Sequence, residues 1–487
     1  MKYTKSIYVV LTLIASLLTY QQHLGLNALI LPIIFSVIHY ILHQSIVSKR
    51  WFIAAFLWIL SGLGVFLWHL DIGIPLFIIC GFHFFAISFH SKMSLPASIA
   101  QSLISFFTGI GRFFLFDLQI FNTNNLNSNS KKIIRLLLIV CIPLLIFIIF
   151  LKLYQTANPD FAELTQFINF DFIEASFFFY FGLILIFSYG LIFFKPSAKV
   201  LEIDINSKDD LSKEEFNVDD SNSQLNLEWQ IGIIVVSSLS LLLLGFIFID
   251  FNTIYNNQNV GINHSQGVHQ SINILITSIV LVIVIVLYLF RGAVNYKSSK
   301  ALKISTFIWL GLNCTVILLI LAKNNNYIDS WGLTHKRIGV YIYTILCFLG
   351  ICYTVYKIEY RKTTSFLIRT TSTSFLSALV FYGLINWNGI IVTYNLNEKN
   401  LAPSKVDLQY LARLGPETYP KLTEYCTQNS INNEGLIYNL DKRIESLQMS
   451  YSSDWTDFLS YTYSGYTAYK KLEKYQSISL TDTYFHF

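Results

Sequence analysis

Long apolar runs separated by short polar joins dominate the chain. Segments such as IGIIVVSSLSLLLLGFIF (231–248) and ILITSIVLVIVIVLYLF (274–290) are continuously hydrophobic rather than alternating. A run of this length crosses a hydrocarbon core of about 30 Å as a helix. A barrel strand would instead alternate over about ten residues, and lipid offers no partner to an open backbone edge. The pattern predicts eleven spans, at 6–20, 27–43, 51–70, 72–90, 133–153, 175–194, 230–249, 272–290, 304–321, 338–356 and 367–387. The first follows Lys2 and Lys5 and is short enough to be a signal peptide. No small-x-small site follows Leu17 to Tyr20, so it is read as an uncleaved span.

Composition agrees with the pattern. Of 487 residues, 54% are hydrophobic and only 13% charged, against about 25% charged in soluble domains. This excludes a disordered chain, a collagen-like repeat and a nucleic-acid binder. Six cysteines are too few for a disulfide scaffold. The expected fold is an all-α, polytopic helical membrane bundle (1–394) followed by a small helical extramembrane segment (395–487).

Charge then orients the bundle, because loops that stay in the cytoplasm retain Lys and Arg near the membrane. With the N-terminus inside, the inner segments hold 21 of the 34 basic residues, the outer loops four (Lys152, Lys323, Lys336, Arg337) and the tail nine. The net charge of +5 is therefore a record of topology. The expected location is the cytoplasmic (inner) membrane, with the tail outside. The apolar stretch 97–120 is not counted as a twelfth span, since that would invert the basic bias. Interrupted by Arg112 and Asp117, it reads as a helix in the cytoplasmic interface or as one packed under the bundle. The acidic stretch 198–227 holds few large apolar residues after Ile205 and reads as a flexible cytoplasmic linker.

In the tail, VDLQYLARLGPETYPKLTEYC (406–426) sets Gly415 past one helix and Pro416 at the start of the next. Further helices are expected over 435–449 and 455–475, the latter with Trp455, Phe458, Tyr461 and Tyr469 on one face.

Motifs for chemistry are sparse. No C-x-x-C, H-E-x-x-H, Walker loop or G-x-S-x-G occurs, so neither a metal nor a cofactor is expected. The deepest titratable group in the spans is His83, an expected interhelical hydrogen-bonder. His264 and His269 share an outer loop without a fixed third ligand. Ionisable groups in hydrocarbon cost about 3 kcal/mol each, and no Asp or Glu sits at the centre of a span, which disfavours a carboxylate-driven pump.

The outer loops are richer. YQTANPDFAEL (154–164), GVHQSIN (267–273), NNYIDSWGLTHKRIG (325–339) and INWNGIIVTYN (385–395) combine amides and aromatics with little net charge. That composition suits a shallow polar pocket for a head group, a sugar or an envelope polymer. These strings, together with FRGAVNY (290–296) and DLQYLARLGPETYPKL (407–422), resemble a bacterial family of polytopic membrane proteins catalogued as a domain of unknown function. The resemblance implies membership and a helical membrane architecture, and it brings no activity with it.

The candidate ligand-binding residues are Asn158, Asp160, His269, Tyr327, Thr334, Arg337, Asn386 and Asn388, with Arg337 suited to an anionic group. The leading expectation is a protein that binds or transports a polar or envelope-related ligand at its outer face, its partner being the lipid bilayer. A sensor or scaffold acting through the acidic linker is the alternative. An enzyme on lipid-linked substrates, using Asp160 and His269, is a third.

Overall fold

The computed structural model describes residues 5–42, 48–114, 165, 175–211, 223–256, 265–297, 299–429, 431, 433–452, 455–473 and 475. The span expected at 133–153 lies outside these residues. The stretches expected as the other ten spans are helical over most of their length: α1 (Lys5–Thr19), α2 (Leu26–Leu42), α3 (Lys49–Trp68), α4 (Gly73–Phe89), α6 (Ala175–Ile192), α8 (Ser223–Asn256), α9 (Ser265–Leu289), α11 (Lys300–Trp331), α12 (His335–Glu359) and α13 (Thr364–Gly383). Between them lie α5 (Leu95–Phe113), α7 (Ala198–Asn206) and the short α10 (Gly292–Tyr296). After α13 come α14 (Trp387–Asn395), α15 (Leu408–Ala412), α16 (Tyr419–Gln428), α17 (Glu434–Ser452) and α18 (Tyr463–Leu472). Among the described residues there is no strand, and the chain is an all-α bundle.

Local chemistry sets the helix starts. Ser48, Ser94, Ser299, Thr334, Thr363 and Asn386 each accept a hydrogen bond from the backbone three residues on, opening α3, α5, α11, α12, α13 and α14. A side-chain oxygen at that position satisfies a donor the helix itself leaves unpaired. Among the described residues, four helices are long and apolar enough to cross a bilayer: α3, α11, α12 and the 225–252 stretch of α8. A fifth span arises if α13 and α14, bent by 61° at their break, are taken together. Large apolar side chains on the outside of these helices, among them Phe52 and Phe56 on α3 and Leu241 and Leu242 on α8, are more than half exposed. Such a surface suits lipid.

Among the described residues, two large apolar clusters hold the bundle, beside a small one of Leu13 and Phe177. One gathers Tyr8, Trp51, Trp58, Phe84 and Phe85 with Leu376 and Val380 of α13. The other joins α8, α9, α11 and α12 through Val236, Ile279, Trp309 and Ile351. Another large cluster, built on Leu411, Leu422, Leu440 and Ile444, continues into Ile328, Ile338 and Ile391 and so ties the tail to the helix ends. The tail also donates and receives polar contacts. Leu26 N donates to Tyr461 O (3.0 Å) and Ser460 Oγ to Gln22 Oε1 (2.7 Å).

α5 covers most of the stretch expected in the interface. It crosses α6 near that helix's C-terminal end, where Ser105 Oγ donates to Gly190 O (2.6 Å) and Arg112 Nη1 to Phe193 O (3.1 Å). Its serines face inward and Phe107 outward.

The acidic stretch behaves differently from a free linker over its first half. Residues 198–211 form α7 and a following segment held by Arg369, which donates to Asp209 Oδ1 (2.8 Å), Ser207 O (3.1 Å) and Asp204. Asp204 in turn accepts from Ser94 N (2.8 Å) and Ser94 Oγ (2.6 Å) at the start of α5. An acidic segment orders itself here because it meets a cation and a helix N-terminus.

Candidate functional site

Where the tail meets the bundle, α11 turns into α12 through Gly332, Leu333 and Thr334. Gly332 takes φ +79°, a conformation glycine adopts without a side-chain penalty. Arg337, in the first turn of α12, is 6% exposed. It donates through Nη1 to the carbonyls of Trp331 (2.8 Å) and Gly332, and its Cζ lies 4.2 Å from the Tyr327 ring centroid. Arg337 and Tyr327 thus close the C-terminal end of α11, satisfying carbonyls the helix leaves open. Leu333 is bonded in both directions to the Asn395 amide, its N–H to Oδ1 (2.6 Å) and its C=O from Nδ2 (2.8 Å). That pair joins the turn to α14.

The turn delivers His335 to the start of α12. Its Nε2 lies 2.6 Å from Asn388 Oδ1. An amide oxygen only accepts, so Nε2 donates to it, and Nδ1 lies 3.2 Å from the Tyr382 hydroxyl. Asn388 Nδ2 donates onward to Glu417 Oε1 (2.7 Å). Gly415 makes this meeting feasible, since a Cβ there would fall 2.5 Å from Glu417 Oε2 and 2.8 Å from Asn388 Nδ2. Glu417 is half-buried, yet its Oε2 is enclosed without a hydrogen-bond partner. Burial pushes its carboxyl above the usual range, against the opposing pull of its own backbone N–H and of Asn388. The His335 backbone N–H reaches Tyr410 Oη (3.1 Å), and the Tyr382 ring stacks on Trp387 with centroids 5.2 Å apart. Three segments far apart in the chain are fastened by this polar chain.

His335 and Asn388 form part of the wall of a cavity of about 780 Å³ between the tail and helices α3, α12 and α13. One side of that wall is polar, with His69, Asp71 and Arg413. Asp71 and Arg413 belong to no ion pair among the described residues. The other side is apolar, running down α12 and α13 past Leu346, Phe375 and Leu379.

The chain matches a family model described as Domain of unknown function (DUF4153) over residues 6–425. The chain belongs to this family. The region of the DUF4153 match takes in His335, Asn388, Arg413 and Glu417 and ends before α17 and α18. No curated protein and no solved structure matches the chain.

The eight residues singled out from the sequence of this DUF4153 member fall in different places. Asn158 and Asp160 lie outside the described residues, as does the side chain of His269, near the start of α9. Tyr327, Thr334 and Arg337 build the α11–α12 turn. Asn386 caps α14 through Gly389 N (2.8 Å) and borders a neighbouring cavity of about 770 Å³. Asn388 alone of the five described side chains lines the larger cavity. Two of the four outer strings therefore meet, 325–339 and 385–395, and the tail string around Gly415 joins them. His335 stands inside the first string and was legible as a polar residue beside Thr334. Asp71, Arg413 and Glu417 carry no local signal, because each acquires its role from a surface formed by other helices. Among the described residues no cluster of three His, Cys, Asp or Glu could hold a metal ion.

Proposed function

We propose that this membrane protein binds an amphiphilic ligand in the cavity beneath its tail, with the ligand's polar head against His335, Asn388, Asp71 and Arg413 and its apolar part along Leu346, Phe375 and Leu379. The observation that carries this reading is the two-sided wall. A cavity of about 780 Å³ is of the size that holds a small molecule, and its apolar side descends along two helices of the bundle. Among the described residues Asp71 and Arg413 have no ion-pair partner, and a free carboxylate and guanidinium suit a head group bearing both charges.

Binding is favoured over catalysis by the way the imidazole is used. Both ring nitrogens of His335 are engaged, one by Tyr382 and one by Asn388. General-base work needs a free ring nitrogen within reach of a proton to be abstracted. The tail-bearing end is the outer one in this reading, supported by the basic residues Lys49, Arg50, Lys92 and Arg369 at the opposite ends of α3, α4 and α13, and the membrane is the cytoplasmic one.

The test is lipid retention. The full chain purified in mild detergent is analysed by native mass spectrometry, with Arg413→Gln and Leu379→Asn as variants. Loss of a co-purifying amphiphile in both supports the proposal. An amphiphile that stays bound in both variants, or none bound to the wild type when zwitterionic phospholipid is supplied, overturns it.

A further inference from the structure

At the end of the bundle opposite the tail, a second cavity of about 660 Å³ opens between α3, α4 and α13. Arg50 and Lys92 stand on its rim, together with Arg369. Their situations differ. Arg369 is consumed by Asp204 and Asp209, the two carboxylates that line the cavity. Arg50 spends one nitrogen on the Lys92 carbonyl (3.1 Å), and among the described residues neither Arg50 nor the Lys92 ammonium meets a carboxylate. Both side chains are exposed. Two cations thus line one cavity without an ion-pair partner among the described residues, its two carboxylates being held by Arg369.

The first turn of α3 sharpens the point. It contains Lys49 and Arg50 and no acidic residue, an arrangement that works against the helix dipole, which favours negative charge there. An external anion beside Arg50 would relieve both the dipole and the cation pair. Below the rim the wall changes character. Ile53 and Leu57 continue the Arg50 face of α3 for seven residues, a descent of about 10 Å, and Ile87 and Leu376 also line the cavity. Ile53 is 56% exposed, so this apolar wall is continuous with the lipid-facing surface of α3.

We propose that this cavity holds the phosphate group of an anionic phospholipid, with Arg50 and Lys92 as its counter-charges and the start of an acyl chain against Ile53 and Leu57. The hydroxyl-bearing side of α13, with Thr373 and Ser374 on the wall, supplies polar contacts to the glycerol region. This site is independent of the cavity beneath the tail: it uses other residues at the other end of the bundle.

The experiment uses the full chain in nanodiscs made from equal parts phosphatidylcholine and phosphatidylglycerol, with retained lipid counted by native mass spectrometry after transfer to detergent. Wild type retains phosphatidylglycerol in preference to phosphatidylcholine, and the double variant Arg50→Gln/Lys92→Gln loses about tenfold or more of that preference, as expected for two cations each contributing at a membrane surface. A control, Lys405→Gln in the tail, leaves it unchanged. An unchanged preference in the double variant overturns the proposal. A second arm titrates the wild type with inorganic phosphate; release of phosphatidylglycerol by phosphate would assign the site to a free anion and overturn the lipid assignment. A third arm needs no variant. A photoactivatable phosphatidylglycerol should label the 50–57 peptide of the wild type, and labelling confined to other peptides likewise overturns the proposal.

Discussion

Asn388 lies between His335 and Glu417, accepting from the imidazole at 2.6 Å and donating to the carboxyl at 2.7 Å. One amide side chain therefore takes the Nε2 proton of the histidine and satisfies half of a shielded carboxyl. It also joins α12, α14 and the segment before α16, elements that no stretch of local sequence connects.

Replacing Asn388 with alanine removes both bonds at once. The residue is 6% exposed, so water does not fully take over its role. Leaving buried partners unsatisfied costs about 1–3 kcal/mol, and the thermal midpoint of the purified protein should fall. An unchanged midpoint would show that the polar chain is dispensable for holding the tail. Asn388→Asp puts a second carboxyl beside Glu417 and should destabilise more at pH 8 than at pH 5.

Glu417 makes stability depend on pH in a defined direction. Burial raises its carboxyl in the folded protein above the ordinary value of 4.5. The folded state then binds the proton more tightly than the unfolded one, so the contribution to stability is fully present below that ordinary value. It is lost as pH rises towards the elevated folded value. Glu417→Gln mimics the neutral acid and should flatten this part of the profile. Thermal midpoints of wild type and variant across pH 4 to 8 provide the check, and parallel profiles would refute the assignment.

Gly332 and Arg337 test the turn without touching the cavity. Alanine at 332 meets a positive φ of 79° and places its Cβ 2.5 Å from Asn395 Oδ1. Strain of this kind costs about 1–3 kcal/mol. Arg337→Lys keeps the charge but loses the planar fork and the stacking on Tyr327. Both variants should lower the thermal midpoint, while the lipid content of whatever protein remains folded stays that of wild type.

Arg369→Ala should release the acidic segment. With the guanidinium gone, Asp204 and Asp209 lose their shared cation, and amide hydrogen exchange across 198–211 should rise while α12 stays protected. Exchange unchanged in that segment would mean that the Asp204 contacts to Ser94 suffice to hold it.

The helices were legible because the information that makes them is local. Runs of apolar residues set the spans, and Ser48, Ser299 and Thr334 mark helix starts within three residues of the donor they satisfy. The break between α13 and α14 was less visible, since 367–387 reads as one run; Asn386 ends it by capping a new helix. The acidic stretch read as solvated chain because its cation, Arg369, lies 165 residues from Asp204. Arg337 read as a ligand for an anion because its type permits that, whereas the carbonyls that occupy it belong to a turn whose shape the pattern does not specify.

By itself, then, the sequence determined an all-α chain of membrane-spanning helices with a helical tail, since hydrophobic length and helix capping act within a few residues. The tertiary structure decided which polar residues stand together. His335, Asn388 and Glu417 are separated by 53 and 29 residues, and Asp71 and Arg413 share one cavity wall only because the tail folds back over α3. Side-chain chemistry is written at each position, but proximity is a property of packing, and packing sums contributions from the whole chain.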